Sequence, residues 1–225
     1  MGEAKDQDRH VALAQQRQTM LDRQLRERGI TDQRLLDAMD RVHREDLVPE
    51  HLANHAYEDA PLPIGYGQTI SQPFTVALMC WLLDLKATDK VLEVGTGSGY
   101  GAAVLSQLAG TVFTIERIPA LAETAEKRLA QLGYSNVEVR AGDGSPGLPE
   151  EAAFDGIVVT AGAEGLPEVH LQQLVEGGRI VIPLGTSKYG QSLFRITRRS
   201  DELLIEDLGA FAFVPLIGKY AWKSS

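Results

Sequence analysis

The sequence has little cysteine, no long apolar run and fewer basic than acidic residues. Its single cysteine, Cys80, excludes an intrachain disulfide and is typical of a reducing compartment. The longest apolar stretch, residues 74–83, is too short to cross a bilayer, and the first ten residues contain no apolar signal core. Lysine and arginine number 22 against 31 acidic residues, and the net charge of -9 disfavours binding to nucleic acid or anionic lipid. We therefore expect a cytoplasmic protein with no nucleic-acid and no membrane partner.

The composition is otherwise that of an ordinary globular protein. With 225 residues, 44% of them hydrophobic and 24% charged, the chain can bury one sizeable core. No internal repeat, low-complexity tract or clear linker divides the sequence. We predict a single domain over residues 1–225, with a helical N-terminal part (1–85), an α/β core (86–186) and a C-terminal hairpin and tail (187–225). A monomer is the expected state.

Helical periodicity marks the N-terminal part. Residues of one helical face recur at spacings of three and four until Gly29, at Val11, Ala14, Gln18, Leu21 and Leu25. Thr31 or Asp32 is placed to cap a short helix that runs through Met39, and Pro73 opens another helix that reaches about Leu85. Residues 46–64 contain prolines and histidines and show little periodicity, so we expect a loop with short turns there.

From Lys90 onward, short apolar runs alternate with helical segments. In order they are VLEV, YGAAVLSQLA, TVFTIE, PALAETAEKRLAQLG, NVEVRAGDG, FDGIVVT, LPEVHLQQL and GGRIVIPLG. Strands that alternate with helices predict an α/β fold with a mostly parallel sheet and helices on both faces. The last strand-like runs, QSLFRITRR and ELLIEDLGAFAFVPL, follow each other closely and predict an antiparallel hairpin that closes the sheet.

A glycine-rich loop follows the strand VLEV. Residues 95–99 read Gly-Thr-Gly-Ser-Gly, and glycines in such a loop let a ligand approach the backbone at the N-terminus of the next helix. Counted from Gly97 through Gly99 and Ala102, the loop fits the G-x-G-x-x-A form of the dinucleotide fingerprint. Counted from Gly95, the third glycine is replaced by Tyr100. The loop alone is therefore a weak signal for a nucleotide or nucleoside site.

Each of the first three core strands carries an acidic residue in the strand, at its end or just after it. Glu93 lies in the first strand, Glu116 ends the second, and Asp143 follows the third. Glu116 is placed to accept hydrogen bonds from two ribose hydroxyls, a feature shared with NAD-binding proteins, and Asp143 could accept one from an adenine amino group. Because the glycine loop has no positive group to balance phosphates, we favour S-adenosylmethionine, a nucleoside with a cationic sulfonium. The alternative for each acid is a solvated strand end, or at Asp143 an Asx turn.

Two hydroxyls lie in the stretch GQTISQP, residues 67–73. If this stretch is extended, Thr69 and Ser71 point to the same side, and both could face a substrate. The alternative is that Ser71 caps the helix that begins near Pro73. The residues themselves leave both interpretations open.

Several motifs resemble those of the protein-L-isoaspartate (D-aspartate) O-methyltransferase family. They are VLEVGTGSGY, TIER, AGDG, FDGIVVT, GGRIVIPLG, YEDAPLPIG, FVPL and, most specifically, GQTISQP. The resemblance covers residues 18–217 and implies a Rossmann-like methyltransferase fold. It implies transfer of a methyl group from S-adenosylmethionine to the free α-carboxylate of L-isoaspartyl residues in proteins and peptides, with S-adenosylhomocysteine as product. In this family the methyl ester then cyclises to a succinimide, which starts repair.

The resemblance also implies site residues. Ser71 matches the active-site serine, and Thr69 and Ser71 would orient the substrate carboxylate, with no covalent role for Ser71. The residues implied to bind the cofactor are Gln68, Thr69, Ile70, Ser71, Glu93, Gly95, Gly97, Gly99, Glu116, Arg117, Asp143 and Gly144. No metal site is expected.

One segment departs from the family pattern. After the fourth strand of the core the family has an alanine-rich turn closed by proline, whereas this chain has Ala161-Gly162-Ala163-Glu164. The change adds a negative charge, and the family pattern therefore does not determine the shape of this lip of the cleft. Tyr57 and Asp59, in YEDAPLPIG, are candidates for the peptide cleft, and Trp222 could cover it.

Alternative functions come from other classes. One is a methyltransferase of the same fold that acts on a small molecule or a dedicated biosynthetic peptide, and another is a nucleoside-binding module without catalysis. A hydrolase is disfavoured because no G-x-S-x-G elbow is present. His51 and His55 have the spacing of metal ligands on a helix, but we expect a surface or packing role for them.

Overall fold

The computed structural model describes residues 2–187, 190–200 and 202–223, with side chains from residue 7 onward. The helices are α1 (Gly2–Thr19), α2 (Gln33–Arg41), α3 (Pro73–Leu83), α4 (Tyr100–Ser106), α5 (Pro119–Gln131) and α6 (Glu168–Gln172). The strands are β1 (Leu62–Gly65), β2 (Gln68–Ile70), β3 (Lys90–Val94), β4 (Thr111–Glu116), β5 (Val137–Ala141), β6 (Phe154–Val159), β7 (Leu174–Ser187), β8 (Gly190–Arg199) and β9 (Glu202–Phe211).

A seven-stranded sheet in the order β5-β4-β3-β6-β7-β8-β9 organises the molecule. The five strands from β5 to β7 are parallel, and β8 and β9 add antiparallel pairs at one side. The predicted parallel sheet with a C-terminal antiparallel hairpin is therefore confirmed. Because the chain leaves β3 for β4 on one side and later returns to β6 on the other, the strand order reverses between β3 and β6. In open α/β sheets ligands bind at such a point, beside the carboxyl ends of the strands.

Alternation along the strands gives the sheet an apolar layer on each face. Val91 and Val112 point into the layer formed with α3, α4 and the N-terminal helices, whereas the adjacent Leu92 and Phe113 point into the layer on the other face. Residues on both faces are buried, as expected for parallel strands covered on both sides.

The N-terminal segment packs against one face of the sheet. Helix α1 continues through a π-helical turn (Met20–Leu25) and a 3-10 turn (Arg26–Arg28) and ends at Gly29, whose φ of 92° is in the left-handed region. The helix and its end were predicted, but the π turn was not. Asp32 caps α2 by accepting a hydrogen bond from Leu35 N–H at 2.9 Å, as expected. None of the described helices is both long and apolar enough to cross a membrane.

The first two strands of the sequence lie outside the large sheet, and the last strand forms one of its edges. Strand β9 forms one edge of the sheet, and it exposes Leu203, Leu204 and Ile205 between the acidic residues Glu202 and Asp207. The first two strands, β1 and β2, form a separate antiparallel hairpin in which Leu62 pairs with Ile70. This hairpin leads directly into α3, so it fixes the position of residues 67–72. The division of the chain at residues 85 and 186 stays a prediction.

Candidate active site

A cavity of about 360 Å³ opens at the carboxyl ends of β3, β4 and β6, where the strand order reverses. The residues that line it are Gly67, Gln68, Thr69, Ile70, Ser71, Val76, Glu93, Val94, Gly95, Thr96, Gly97, Ser98, Tyr100, Gly101, Ile115, Glu116, Arg117, Ile118, Gly144, Thr160, Ala161, Val214, Pro215, Leu216 and Ile217. The structure thus brings together the predicted site residues except Gly99 and Asp143, which lie outside the lining.

The glycine loop packs closely against its surroundings. Gly95 has a φ of 103°, and an added Cβ would collide with Thr160 Oγ1, which donates a hydrogen bond to Gly95 O at 2.8 Å. An added Cβ at Gly101, in the first turn of α4, would collide with Glu93 Oε1. Glycine is therefore needed at both positions. At Gly95 the left-handed backbone and the lack of space both require it, and at Gly101 the lack of space alone does.

Glu116 is held in place by backbone hydrogen bonds at the end of β4. Glu116 is buried; its Oε2 accepts the N–H of Gly97 at 2.9 Å, and its Oε1 accepts that of Ile118 at 2.9 Å. A carboxylate oxygen can accept more than one hydrogen bond, so both oxygens can still accept hydroxyl donors. The carboxylate therefore fits a ribose diol, and Arg117 is the only basic side chain among the described residues that line the cavity. This set of groups suits a nucleoside better than a pyrophosphate.

Glu93 is a different kind of acid. It is buried, and burial raises its pKa to about 8, with a smaller contribution from the charge of Glu116. Thr114 Oγ1 donates a hydrogen bond to Glu93 Oε2 at 2.6 Å and only partly opposes this shift. Thr96 Oγ1 lies 2.6 Å from Thr114 Oγ1 and links the pair to the glycine loop. At pH 7 Glu93 is therefore mainly a neutral carboxylic acid beside the cavity.

Asp143 lies behind Gly144, outside the cavity. Its Oδ1 accepts the N–H of Ser145 at 2.8 Å, which is the Asx turn considered above, and Oδ2 accepts the N–H of Lys219 at 2.8 Å. Partial burial alone would raise the pKa of Asp143, but the hydrogen bonds from Lys219 and Ser145 outweigh it and hold the pKa below its ordinary value. The contact of Asp143 with an adenine amino group stays a prediction.

The two hydroxyls of GQTISQP both line the cavity. Thr69 pairs with Pro63 across the hairpin, Ile70 is buried beneath it, and Ser71 follows on the same side as Thr69. Among the described residues, neither hydroxyl has a hydrogen-bond partner. Helix α3 begins at Pro73 with Gln72 as its N-cap and without any side-chain cap, so the capping interpretation of Ser71 is wrong. Both hydroxyls are thus available to a ligand.

Sequence reasoning missed one wall of the cavity. Residues 214–217, which we name the C-terminal strap, follow β9 and line the same cavity as the glycine loop and the hydroxyl stretch. The strap is bound to Gly162, whose N–H donates to Val214 O at 2.8 Å and whose carbonyl accepts Leu216 N–H at 2.8 Å. The only signal in the sequence is the short apolar run FVPLI. Gly162 therefore anchors the strap, and an added Cβ there would meet Gln191 at 2.7 Å.

Other candidate residues lie away from the cavity. Tyr57 is buried and its hydroxyl donates to Glu45, while Asp59 forms an ion pair with Arg28 at 3.0 Å, so both support the loop before β1 rather than line the cavity. His51 and His55 lie on a 3-10 helix, where residues four apart do not share a face. In the part of the chain that the structure describes, no group of three or more His, Cys, Asp or Glu residues could hold a metal ion.

Comparisons with known proteins agree with this geometry. A model of the family "Protein-L-isoaspartate(D-aspartate) O-methyltransferase (PCMT)" matches residues 15–221. The chain is 52% identical over 207 residues to the protein-L-isoaspartate O-methyltransferase of Protochlamydia amoebophila, covering 92% of this chain and 99% of that one. It is 54% identical over 211 residues to protein-L-isoaspartate O-methyltransferase 2 of Marinobacter nauticus, covering 93% and 96% of the two chains.

Solved structures give the same result. One protein-L-isoaspartate O-methyltransferase structure matches with a TM-score of 0.80 and 30% identity, over 91% of this chain and 67% of that chain. Another, from Plasmodium falciparum and in complex with S-adenosyl-L-homocysteine, matches with a TM-score of 0.75 and 27% identity, over 88% and 97% of the two chains. The extent of these matches, together with the hydroxyl stretch that lines the same cavity as the glycine loop, places the chain in the protein-L-isoaspartate(D-aspartate) O-methyltransferase family.

Proposed function

We propose that this protein transfers a methyl group from S-adenosylmethionine to the free α-carboxylate of L-isoaspartyl residues in damaged proteins and peptides, which starts their repair through a succinimide. The observation that carries the proposal is that Thr69 and Ser71 share one cavity with the glycine loop and Glu116. A nucleoside site and a pair of unengaged hydroxyls are thereby brought together. Family membership over nearly the whole chain supports the same substrate.

Different residues of the cavity would contact different parts of S-adenosylmethionine. Glu116 would hold the ribose hydroxyls, the glycine loop would let the ligand approach the backbone, and Gly144 would lie against the nucleoside. S-adenosylmethionine supplies, when bound, an electrophilic methyl group on its sulfonium. Neutral Glu93 would add a polar contact without adding a second buried negative charge beside Glu116.

The substrate carboxylate needs little chemical activation. An α-carboxyl group has a pKa of about 3.5, so it is ionised at pH 7 and needs no general base to become a nucleophile. The protein must instead hold the carboxylate in line with the methyl group and exclude water. Ser71 and Thr69 would hydrogen-bond and orient the carboxylate, and buried Ile70 with the C-terminal strap would exclude water.

A covalent role for Ser71 has no support in the cavity. A serine nucleophile needs a neighbouring base, and none of the described residues that line the cavity is a histidine or lysine. Thr69 and Ser71 are thus assigned as the residues that orient the substrate. The proposed setting is a monomer that acts in the cytoplasm as one domain on protein substrates.

The decisive experiment compares two peptides that differ only in one linkage. The purified protein is incubated with S-adenosylmethionine that carries a labelled methyl group, and with a peptide containing L-isoaspartate or its L-aspartate twin. We expect base-labile methyl ester on the isoaspartyl peptide only. Equal labelling of both peptides, or none of either with a folded protein that binds the cofactor, would refute the proposed substrate.

A further inference from the structure

We propose that Ser145 and Asp143 are positioning residues that latch the C-terminal strap across the cavity, and that Gly218 is the glycine that allows the latch to close. The latch consists of these two side chains and the backbone N–H groups of Lys219 and Tyr220. Its structural part stands on the contacts alone. Its kinetic part rests on the proposed function.

The strap is fixed at both of its ends. At its start, Gly162 exchanges two backbone hydrogen bonds with residues 214 and 216. At its end, Lys219 N–H donates to Asp143 Oδ2 at 2.8 Å and Tyr220 N–H donates to Ser145 Oγ at 3.0 Å. The turn that contains Lys219 and Tyr220 is closed by the backbone N–H of Trp222, which donates to Leu216 O at 3.0 Å. The position of one cavity wall therefore depends on residues that lie outside the cavity.

Ser145 is built into the protein interior. It is fully buried, and its backbone N–H donates to Asp143 Oδ1, which fixes the Asp143 side chain next to Ser145. From behind, His170 Nε2 lies 3.3 Å from Gly144 O and supports the same loop. In the closed latch, the buried Ser145 Oγ accepts the Tyr220 N–H, so this polar atom has a hydrogen-bond partner, as buried polar groups in folded proteins usually do.

Gly218 fits closely against both latch side chains. An added Cβ would collide with Asp143 Oδ1 and Ser145 Oγ. Gly218 does not have the left-handed backbone that other glycines of the chain show, so alanine there changes the space and not the backbone strain. Gly165 offers a matched control, because it also lacks a left-handed backbone and an added Cβ there would meet nothing within 4 Å.

The latch has a consequence for both ligands. The strap lines the same cavity as the glycine loop and as Thr69 and Ser71, so we take it as a wall shared by cofactor and substrate. Opening the latch moves this wall but leaves the reacting region and its hydroxyls in place. We therefore expect weaker binding of S-adenosylmethionine and of the isoaspartyl peptide, with little change in kcat.

The first experiment needs no ligand and no activity. The chain has two tryptophans, and Trp81→Phe leaves Trp222, within the latched turn, as the only fluorescent indole. In this background Ser145→Ala and Gly218→Ala are compared with Gly165→Ala. We expect a red-shifted Trp222 emission and roughly tenfold faster tryptic cleavage after Lys219, whose side chain is exposed, in the two latch variants only. Emission and cleavage equal to those of the control would overturn the latch.

The second experiment measures kinetics on the same proteins. KM for S-adenosylmethionine and for an isoaspartyl peptide should each rise about 5- to 20-fold in the latch variants, with kcat within about twofold of the parent. An opened latch with unchanged KM values would overturn its positioning role. If the parent methylates no isoaspartyl peptide, the proposed function fails while the fluorescence and proteolysis still decide the latch. Should Ser145→Ala not fold, Gly218→Ala alone is compared with Gly165→Ala in both experiments.

Discussion

The cofactor end and the substrate end of the cavity are built in different ways. At the cofactor end, both oxygens of Glu116 accept backbone N–H groups and Glu93 is bonded to Thr114. At the substrate end, Thr69 and Ser71 have no hydrogen-bond partner among the described residues. One end of the cavity is therefore fixed by internal hydrogen bonds before any ligand binds, and the other leaves its polar groups for the ligand.

Left-handed backbone occurs at both ends, and in the glycine loop Gly95, Gly97 and Gly99 have φ values of 103°, 53° and 89°. The turn of the β1–β2 hairpin contains three successive residues in the left-handed region, Gly65, Tyr66 and Gly67, with φ values of 93°, 54° and 70°. Tyr66 is 64% exposed at this turn. The cofactor is always the same molecule, whereas isoaspartyl residues occur in many surroundings. A fixed end suits the constant ligand, and an end with free hydroxyls suits a substrate that shares only its carboxylate.

The largest effect should come from removing both hydroxyls at the substrate end. Ser71→Ala alone removes a hydrogen bond to a charged group, about 1.5–3 kcal/mol, or roughly a 10- to 150-fold loss of rate. Because Thr69 can offset part of this loss, Thr69→Val combined with Ser71→Ala should cost more than the two single losses added together as free energies. Steady-state kinetics on one isoaspartyl peptide measure the cycle.

Two checks accompany this double variant. Thr75→Val removes a hydroxyl from α3 that lies outside the cavity and should leave the kinetics unchanged. Cofactor affinity should fall little in Ser71→Ala, since Glu116 lies at the other end. Strictly additive losses would mean that only one hydroxyl touches the substrate, and a covalently modified Ser71 on the reaction path would overturn the orienting role.

At the cofactor end, Glu116→Ala should weaken S-adenosylmethionine binding by roughly 1.5–3 kcal/mol, because it removes a charged acceptor from two hydroxyls. Isothermal calorimetry on the folded variant measures this change directly. Glu123→Ala, which removes an exposed carboxylate from α5, serves as the control. An unchanged affinity in Glu116→Ala would show that the ribose site lies elsewhere.

A pH experiment sharpens the contrast between the two acids. The pKa of Glu93 is raised to about 8 in the fold, against about 4.3 in an unfolded chain, so between these values the unfolded state binds fewer protons. Folding stability from this group therefore falls as pH rises through this window, by up to about 1.4 kcal/mol per pH unit. Glu93→Gln, which stays neutral, should gain stability relative to the parent between pH 5.5 and 7.5. Urea unfolding curves that shift in parallel with pH would contradict a neutral Glu93.

The smallest effect is expected outside both ends of the cavity. Since an ionised carboxylate needs no histidine base, His51→Gln combined with His55→Gln should keep kcat within a few-fold, and the loss of rate at acid pH that a histidine base would cause should be absent. The measurement is kcat on an isoaspartyl peptide from pH 5.5 to 8. A loss of several orders of magnitude would restore a metal or base role to this pair.

The sheet was predictable because its signals are local. Runs such as VLEV and TVFTIE, followed by glycine or by a helical pattern, mark β3 and β4 without knowledge of their partners. The β1–β2 hairpin gave no such signal, since its residues lie in a segment with prolines and no period. Helix α6 is shorter than the pattern LPEVHLQQL indicates, because Pro167 delays its start and Leu174 already pairs with Phe154 in the sheet.

The site was predictable only where it is contiguous in sequence. The glycine loop, Glu116 and the hydroxyl stretch lie within short motifs. Asp143, by contrast, accepts a hydrogen bond from Lys219, which lies 76 residues later in the sequence. The strap is bound to Gly162, which lies more than 50 residues before it, so no short sequence pattern indicates either contact. The neutral state of Glu93 is equally hidden, because it depends on burial by side chains from several elements.

The exposed edge strand β9 is a place where another protein chain could add as a further strand. A strand edge with exposed Leu203, Leu204 and Ile205 is a template on which another extended chain could add, and damaged, partly unfolded proteins present such chains. Glu202 and Asp207 flank the apolar residues, and Arg195 on the neighbouring strand is already paired with Glu206. Negative charge at both ends of the apolar run opposes the addition of a strand from a second copy, which would bring like charges together. The flanking acidic residues therefore disfavour edge-to-edge association between two copies of this protein.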